Sequence, residues 1–194
     1  MKIGAIEKLC KSARRILIIN DEERGIQWLG DGYCLYPLFK LPRLNGENIF
    51  AIFDIPEDKQ GKIYFEEKEK LPMSLNVEDV SDGETPITPE SICISYSGKA
   101  LVPIKCSVGV MMIDKRYLGV FDGDVAYYER LLPSGRPYIV AKEGLFTAGV
   151  ILPEVPNEKL AELLVNTGEG LALASENRKP DDYDEPDVYD EDEE

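Results

Sequence analysis

The chain has 194 residues, of which 43% are apolar and 9% aromatic, so it can form one compact domain with a buried core. It contains no histidine, which excludes Ser-His and Cys-His nucleophile systems and removes the commonest general base near neutral pH. No apolar run approaches the roughly 20 residues that cross a bilayer, so we expect a cytoplasmic protein without membrane contact.

The net charge of −15 is concentrated at the C-terminal end. Ten of the fourteen residues from 181 to 194 are Asp or Glu, whereas the first 180 residues carry 27 acidic and 22 basic side chains. A segment this acidic repels itself and buries too little apolar surface to offset the entropy of ordering, so we predict a disordered acidic tail over residues 179–194. Such a tail is either a solubilising spacer or a segment that competes for basic surfaces.

The N-terminal segment predicts a helix followed by an antiparallel meander. On a helical wheel, residues 4–15 place apolar side chains on one side and basic ones on or near the other. The basic side chains are Lys8, Lys11, Arg14 and Arg15. Three strands are predicted to follow, over residues 16–20, 25–29 and 33–36, with a tight reversal at Gly30-Asp31-Gly32.

Residues 41–90 predict an irregular connection or an insertion, because prolines punctuate the stretch. Short β-like pieces are predicted at residues 49–53 and 62–65. The charged stretch from residue 66 to residue 90 is predicted to be a long loop.

The second half predicts the same order of elements again. After strands ending at Ile113, Asp114 is expected to cap a short helix that carries Lys115 and Arg116 in its first turn. Three more antiparallel strands are expected over residues 125–132, 138–142 and 145–152. One domain over residues 1–156 would hold both units.

A C-terminal helix is predicted over residues 157–178. Asn157 is a suitable N-cap, and Leu160, Leu163 and Leu164 form one stripe. We expect Gly168 and Gly170 to interrupt this helix, and we expect it to dock on the domain or on another subunit.

The residues present no catalytic or metal site. Cys10, Cys34, Cys93 and Cys106 are scattered without a C-x-x-C pair and are expected to be buried, reduced thiols. Asp122-Gly123-Asp124 fits a turn better than a calcium loop, and no phosphate-binding loop motif occurs. We therefore expect no cofactor and no enzymatic activity, with carboxylate or lysine chemistry of a hydrolase as a distant alternative.

The segment MMIDKRYLGVFDGDVAYYERLLPSGRPYIVAKEGLFTAGVILPE resembles the closing repeat of DNA sliding clamps, in which a strand leads into a short helix and three further strands. The marks of the resemblance are Tyr117-Leu118 and Ile151-Leu152-Pro153, and the N-terminal unit is similar to the opening repeat. The resemblance implies an α+β, DNA-clamp-like fold: two helix-plus-antiparallel-strand repeats that form a sheet with helices on one face. It also implies that the basic helix residues face double-stranded DNA, namely Lys8, Lys11, Arg14, Arg15, Lys115 and Arg116.

By this resemblance the chain is expected to be a non-enzymatic, DNA-associated accessory protein that supports processivity in phage or mobile-element replication. Sliding-clamp rings combine six such domains, so an oligomer is expected if a ring forms. A protein partner would use an apolar groove between repeats, for which the candidates are Leu35, Tyr36, Leu38, Phe39 and Leu41, although core packing explains these residues equally simply. The alternative function is an acidic interaction or inhibitor protein that binds basic partners through its tail.

Overall fold

A computed structural model describes residues 2–39 and 41–176 of the chain. The chain divides into one unit spanning Met1–Val155 and a second spanning Pro156–Glu194. The first unit mixes a large sheet with short helices, which confirms the predicted α+β class.

Four helices and eleven strands form the first unit within these residues. The N-terminal half contains α1 (Ile3–Ala13), β1 (Arg15–Asp21), β2 (Ile26–Gly30), β3 (Cys34–Leu38), α2 (Ile49–Ile52), α3 (Glu57–Gln60) and β4 (Tyr64–Lys68). The remainder contains β5 (Thr85–Ile87), β6 (Ile94–Tyr96), β7 (Lys99–Cys106), β8 (Gly109–Asp114), α4 (Lys115–Leu118), β9 (Val125–Leu131), β10 (Pro137–Glu143) and β11 (Phe146–Ile151).

The large sheet joins two three-stranded meanders edge to edge. Its order is β4-β1-β2-β3-β11-β10-β9-β5, so each predicted helix-plus-three-strand repeat contributes one half. The halves meet where β3 pairs antiparallel with β11, through Leu35 opposite Val150 and Cys34 opposite Ile151. We call this junction the seam. Strand β4 pairs parallel with β1, so the sheet as a whole is mixed.

Side chains alternate between the two faces of this sheet, and each face has its own core. On the first, Ile16, Ile18 and Tyr36 pack with Ile6 of α1 and Tyr117 of α4. We call this the helix face. Helix α2 and the small sheet β6-β7-β8 also contribute to the core of this face, for example through Ile49 and Ile104.

The opposite face is covered by the chain segment of residues 69–84, which we call the strap. Leu17, Ile19 and Trp28 of the sheet pack there with Val77 of the strap, so we call this side the strap face. The loop predicted over residues 66–90 is therefore only partly right, because β4 extends to Lys68 and Thr85–Ile87 forms β5.

Helix α1 confirms the predicted N-terminal helix but ends two residues earlier. Its buried residues are Ile6, Leu9 and Cys10, as the wheel indicates. Arg14 adopts a left-handed conformation at φ 52°, and its N–H donates to the carbonyls of Cys10 and Lys11, which closes the helix. Arg15 therefore begins β1 and does not belong to the helix.

The strand predicted over residues 49–53 is wrong, since Ile49–Ile52 is a helical turn. The cause lies in the two preceding asparagines. The side-chain oxygen of Asn45 accepts from the N–H groups of Glu47 and Asn48, both at 3.0 Å, and starts the turn locally. Over so short an apolar run, the strand and helix periods cannot be told apart from sequence.

The second unit contains helix α5 (Glu158–Glu176). The N–H of Leu160 donates to the side-chain oxygen of Asn157 at 2.9 Å, which confirms the predicted N-cap. The predicted interruption at Gly168 and Gly170 is wrong, because the helix continues through both. Within the described residues, no helix combines the length and the apolar character that crossing a bilayer requires. The predicted acidic tail over 179–194 lies outside the described residues.

Candidate nucleic-acid interface

Helices α1 and α4 lie next to each other on the helix face. The guanidinium of Arg116 in α4 donates to the hydroxyl of Ser12 in α1 over 2.6 Å, so the two helices touch. The backbone N–H of Lys2, just before α1, also donates to the carbonyl of Val120 at 2.9 Å. Helices α1 and α4, which carry or adjoin five of the predicted basic residues, are therefore neighbours, whereas Arg15 belongs to β1.

A buried hydrogen-bond network fixes α4 against the first repeat. The carboxylate of Asp31, in the predicted tight reversal, accepts from the Tyr117 hydroxyl at 3.0 Å and from the N–H groups of Tyr33 and Cys34. The hydroxyl of Tyr36 donates to the carbonyl of Tyr117 at 2.9 Å. Because these polar groups are buried and each has a hydrogen-bond partner, they hold α4 in one position relative to β2 and β3.

The basic side chains in and beside α1 differ in their exposure and in whether a carboxylate pairs with them. Lys8 and Arg14 are exposed, and neither pairs with a carboxylate of a described residue. Lys11 is half-buried, and its ammonium pairs with Glu7 one turn earlier at 2.6 Å. An anion would therefore meet the full charge of Lys8 and Arg14, but only a partly neutralised Lys11.

Arg15 lies on the opposite side of the sheet from the helices. Strand alternation directs its side chain to the strap face beside Leu17 and Ile19, where it lines a recess with them. Its guanidinium donates to Glu66 at 3.1 Å and stands 5.4 Å from the centre of the Tyr64 ring. The helical wheel placed Arg15 with the other cations only because it assumed a helix through residue 15.

In α4, Lys115 is exposed and has no ion pair to a described residue, whereas Arg116 is engaged by Asp114. The Arg116 side chain donates three hydrogen bonds of 2.6–3.1 Å to that carboxylate. Burial alone would raise the pKa of Asp114, but the hydrogen bonds from Arg116 hold it below its usual value. Arg116 is thus a positioning residue between α1 and Asp114, with its charge largely balanced.

Sequence reasoning missed two further cations beside α1. Lys59 and Lys62 line a groove with Lys11 and Arg14, and the groove has a volume of about 380 Å³. The floor consists of Ile55, Pro56 and Ile63, and Asp54 is the one carboxylate in its lining. We call this the cationic groove. The acidic neighbours Glu57 and Asp58 obscure these two lysines in the sequence.

The residues predicted for an apolar partner groove are divided among different places. Leu35 lines a recess of about 230 Å³ on the strap face at the seam, together with Leu17, Ile19, Val150 and Leu152 from both repeats. Tyr36 and Leu38 are buried in the core of the helix face. Phe39 and Leu41 are half exposed at 50% and 44% and lie outside this recess.

The other sequence predictions concern turns and thiols. Asp122 pairs with Lys2 at 2.8 Å, and Asp114 caps α4 by accepting from the N–H of Arg116. Among the residues that the structure describes, no three Asp, Glu or Cys side chains are grouped as metal ligands.

Cys10, Cys34 and Cys106 are buried as predicted, whereas Cys93 is exposed. Burial raises the pKa of the Cys106 thiol to about 11, with the nearby Glu129 adding to the effect.

The region of α1 and α4 therefore offers positive charge that no carboxylate of a described residue neutralises. Three of the six predicted residues supply it: Lys8, Arg14 and Lys115. Comparison of the chain with family models, curated proteins and solved structures gave no match.

Proposed function

We propose that this protein is a non-enzymatic, DNA-associated accessory protein with a sliding-clamp-like fold, and that its helix face meets the phosphate backbone of double-stranded DNA. The observation that carries the proposal is the contact between α1 and α4 on one face of a sheet built from two helix-plus-three-strand repeats. Two repeats joined at a seam, with basic helices on the same side, are the arrangement that the resemblance to sliding clamps implies.

The free cations favour contact with phosphates over readout of bases. Lys8 lies in the middle of the eleven-residue α1, Arg14 follows its last residue and Lys115 opens the four-residue α4, so the three cations do not form a row along one recognition helix. Lysine and arginine contacts to phosphates position a protein without sequence preference. Affinity should therefore be modest and should fall steeply with salt, because each neutralised phosphate releases counterions.

The test is duplex binding by fluorescence anisotropy over a salt series, with wild type and the variant Lys8→Glu/Arg14→Glu/Lys115→Glu. We expect the variant to bind at least about tenfold more weakly, with a salt slope shallower by roughly 2.7, at about 0.9 for each lost contact. The matched control Arg43→Glu/Lys70→Glu/Lys105→Glu changes the net charge equally at exposed positions of the first unit outside α1 and α4. Equal weakening by control and variant would refute a specific interface, and no duplex binding by wild type would refute the proposal.

A protein partner is proposed for the apolar recess at the seam. The recess is lined by leucine, isoleucine and valine side chains from both repeats, with Arg15 and Lys68 also in its lining. This combination suits a peptide with apolar anchors and an acidic flank. Light scattering of the full chain tests the associated expectation of an oligomer, since a ring from single-domain subunits needs six copies.

The second candidate function, an acidic interaction protein, is favoured by the ten acidic residues between residues 181 and 194. Conversion of these ten residues to their amides discriminates the two functions. Stronger duplex binding by the amidated chain would support competition between the acidic segment and DNA. Loss of capture of a basic protein, with no duplex binding by either chain, would support the second candidate instead.

A further inference from the structure

We propose that the cationic groove binds the sugar-phosphate backbone of an unpaired nucleic-acid strand. The groove lies beside the last turn of α1, next to the cations Lys8, Arg14 and Lys115 that are proposed above to meet duplex DNA. The inference deepens the proposed function, on which it rests, because it assigns a second class of nucleic acid to a neighbouring site that shares Arg14 with the first.

Hydrogen bonds order the backbone segments that form the groove. The N–H of Tyr64 donates to the carbonyl of Arg14 at 2.9 Å, which ties the start of β4 to the end of α1. Across the groove, the N–H of Lys62 donates to the carbonyl of Lys59 at 3.0 Å, and the Gln60 side chain donates to the carbonyl of Ile55 at 3.2 Å. The cations therefore project from ordered backbone.

The charge of the groove is strongly positive for so small a recess. Arg14, Lys59 and Lys62 are exposed, and the structure pairs none of them with a carboxylate of a described residue. Lys11 is shared with Glu7, and Asp54 is the one acidic side chain of the lining. These like charges line one recess of about 380 Å³ and repel each other, so an anion that neutralises them is favoured.

The floor of the groove narrows the class of anion. Ile55 is buried and Ile63 is half-buried, and with the exposed Pro56 they form the apolar part of the lining, the floor. The exposed cations Arg14, Lys59 and Lys62 form the charged part, the rim. A nucleotide of an unpaired strand offers matching parts, a phosphate for the rim and a sugar or base for the floor. A duplex keeps the faces of its bases stacked inside, so it can place a phosphate on the rim but leaves the apolar floor without a matching sugar or base face.

The lining also predicts how selective the groove should be. No aromatic side chain is among the residues that line it, so bases gain little stacking energy there. Binding should therefore depend on backbone charge and should show little sequence preference.

The experiment compares two labelled probes, an oligothymidine of about 20 nucleotides and a blunt duplex of similar length, on the full chain. The variant Lys59→Glu/Lys62→Glu should bind oligothymidine at least about tenfold more weakly, while its duplex affinity changes by less than about threefold. Its salt slope on oligothymidine should fall by roughly 1.4, at about 0.7 for each lost contact. The control Lys70→Glu/Lys105→Glu carries the same charge change at exposed positions outside the groove.

The outcomes separate this inference from the proposed function. Duplex binding with no selective effect of Lys59→Glu/Lys62→Glu on oligothymidine would overturn the groove but leave the proposed function standing. Selective loss of oligothymidine in a protein that binds no duplex would support the groove and overturn the duplex interface. Equal losses in variant and control would also overturn the groove, and absence of binding to both probes would overturn both proposals. Because both lysines are exposed, circular dichroism should show an unchanged fold.

Discussion

Replacement of Glu84 by alanine removes the carboxylate that balances two buried cations on the strap face. One oxygen of Glu84 accepts from the guanidinium of Arg130 at 2.5 Å and 3.1 Å, and the other accepts from the ammonium of Lys142 at 2.5 Å. The side chains of Arg130 and Lys142 are only 3% and 6% exposed, and that of Glu84 is 14% exposed. Neither cation can turn to water without moving the strap.

The expected loss follows from this geometry. Breaking a buried ion pair from one side costs about 3–5 kcal/mol, because the remaining charge stays buried and unpaired. Two remaining contacts reduce the expected loss in the free energy of unfolding. Arg130 also donates to the carbonyl of Asn76 at 2.9 Å, and Lys142 lies 4.4 Å from the centre of the Tyr128 ring. We therefore expect about 3 kcal/mol for Glu84→Ala, which corresponds to a decrease in Tm of roughly 6–12 °C for a chain of this length.

Urea and thermal unfolding followed by circular dichroism measure this loss. Glu84→Gln keeps an acceptor but no charge, so its loss should be smaller than that of Glu84→Ala. Glu69→Ala, at an exposed position of the same strap, should change the free energy of unfolding by less than about 0.5 kcal/mol. The triple variant Glu84→Leu/Arg130→Met/Lys142→Met should be close to wild type, since apolar replacement of a whole buried ion cluster is often neutral. A loss below about 1 kcal/mol for Glu84→Ala would refute the reasoning.

Two further predictions concern pH and a single glycine. Burial alone would raise the pKa of Glu84, but hydrogen bonds from Lys142 and Arg130 bring it below 4.5. The contribution of the Glu84 carboxylate to the free energy of unfolding is therefore complete above about pH 5, and it is lost as the pH falls through the folded-state pKa. The difference in unfolding free energy between wild type and Glu84→Gln should therefore shrink below pH 4.5, and a difference that grows on acidification would contradict this sign. Gly30→Ala should unfold the chain or cost more than about 4 kcal/mol, because a Cβ there would lie 1.7 Å from the carbonyl oxygen of Cys34. The control Gly61→Ala has open space around it and should leave Tm nearly unchanged, whereas equal Tm values for both variants would show that the tight reversal can relax.

The two repeats could be predicted from sequence because each is a local structure. The predicted meanders needed only the turn residues between consecutive strands, and the wheel of α1 needed only its own apolar spacing. The seam and the parallel pairing of β4 with β1 are not local. Arg15 pairs with Tyr64 across 49 positions of sequence, and no periodicity in either segment indicates that partner.

The candidate site was predicted in part for the same reason. The exposed positions of Lys8, Arg14 and Lys115 could be predicted because helix periodicity and capping depend on neighbouring residues. Arg15 was misplaced because the left-handed conformation of Arg14 ends the helix, and an arginine is an unusual residue there. Lys59 and Lys62 join the surface only through tertiary structure. The neutralising partners of Lys11 and Arg116 are local, since Glu7 lies one helical turn before Lys11 and Asp114 two residues before Arg116, and the sequence analysis overlooked them.

The attachment of the strap has a consequence for the chain while it is being synthesised. Arg24 of the N-terminal repeat reaches the strap through an exposed ion pair with Glu78, but other anchors lie from 46 to 69 positions further along, where Arg130, Lys142 and Thr147 hold Glu84 and Glu78. Until those residues leave the ribosome, Leu17, Ile19 and Trp28 have no secured cover, and a nascent chain that stops before β11 presents them to other proteins. The N-terminal repeat therefore cannot mature ahead of its counterpart, and incomplete chains should be targets for chaperones or proteases.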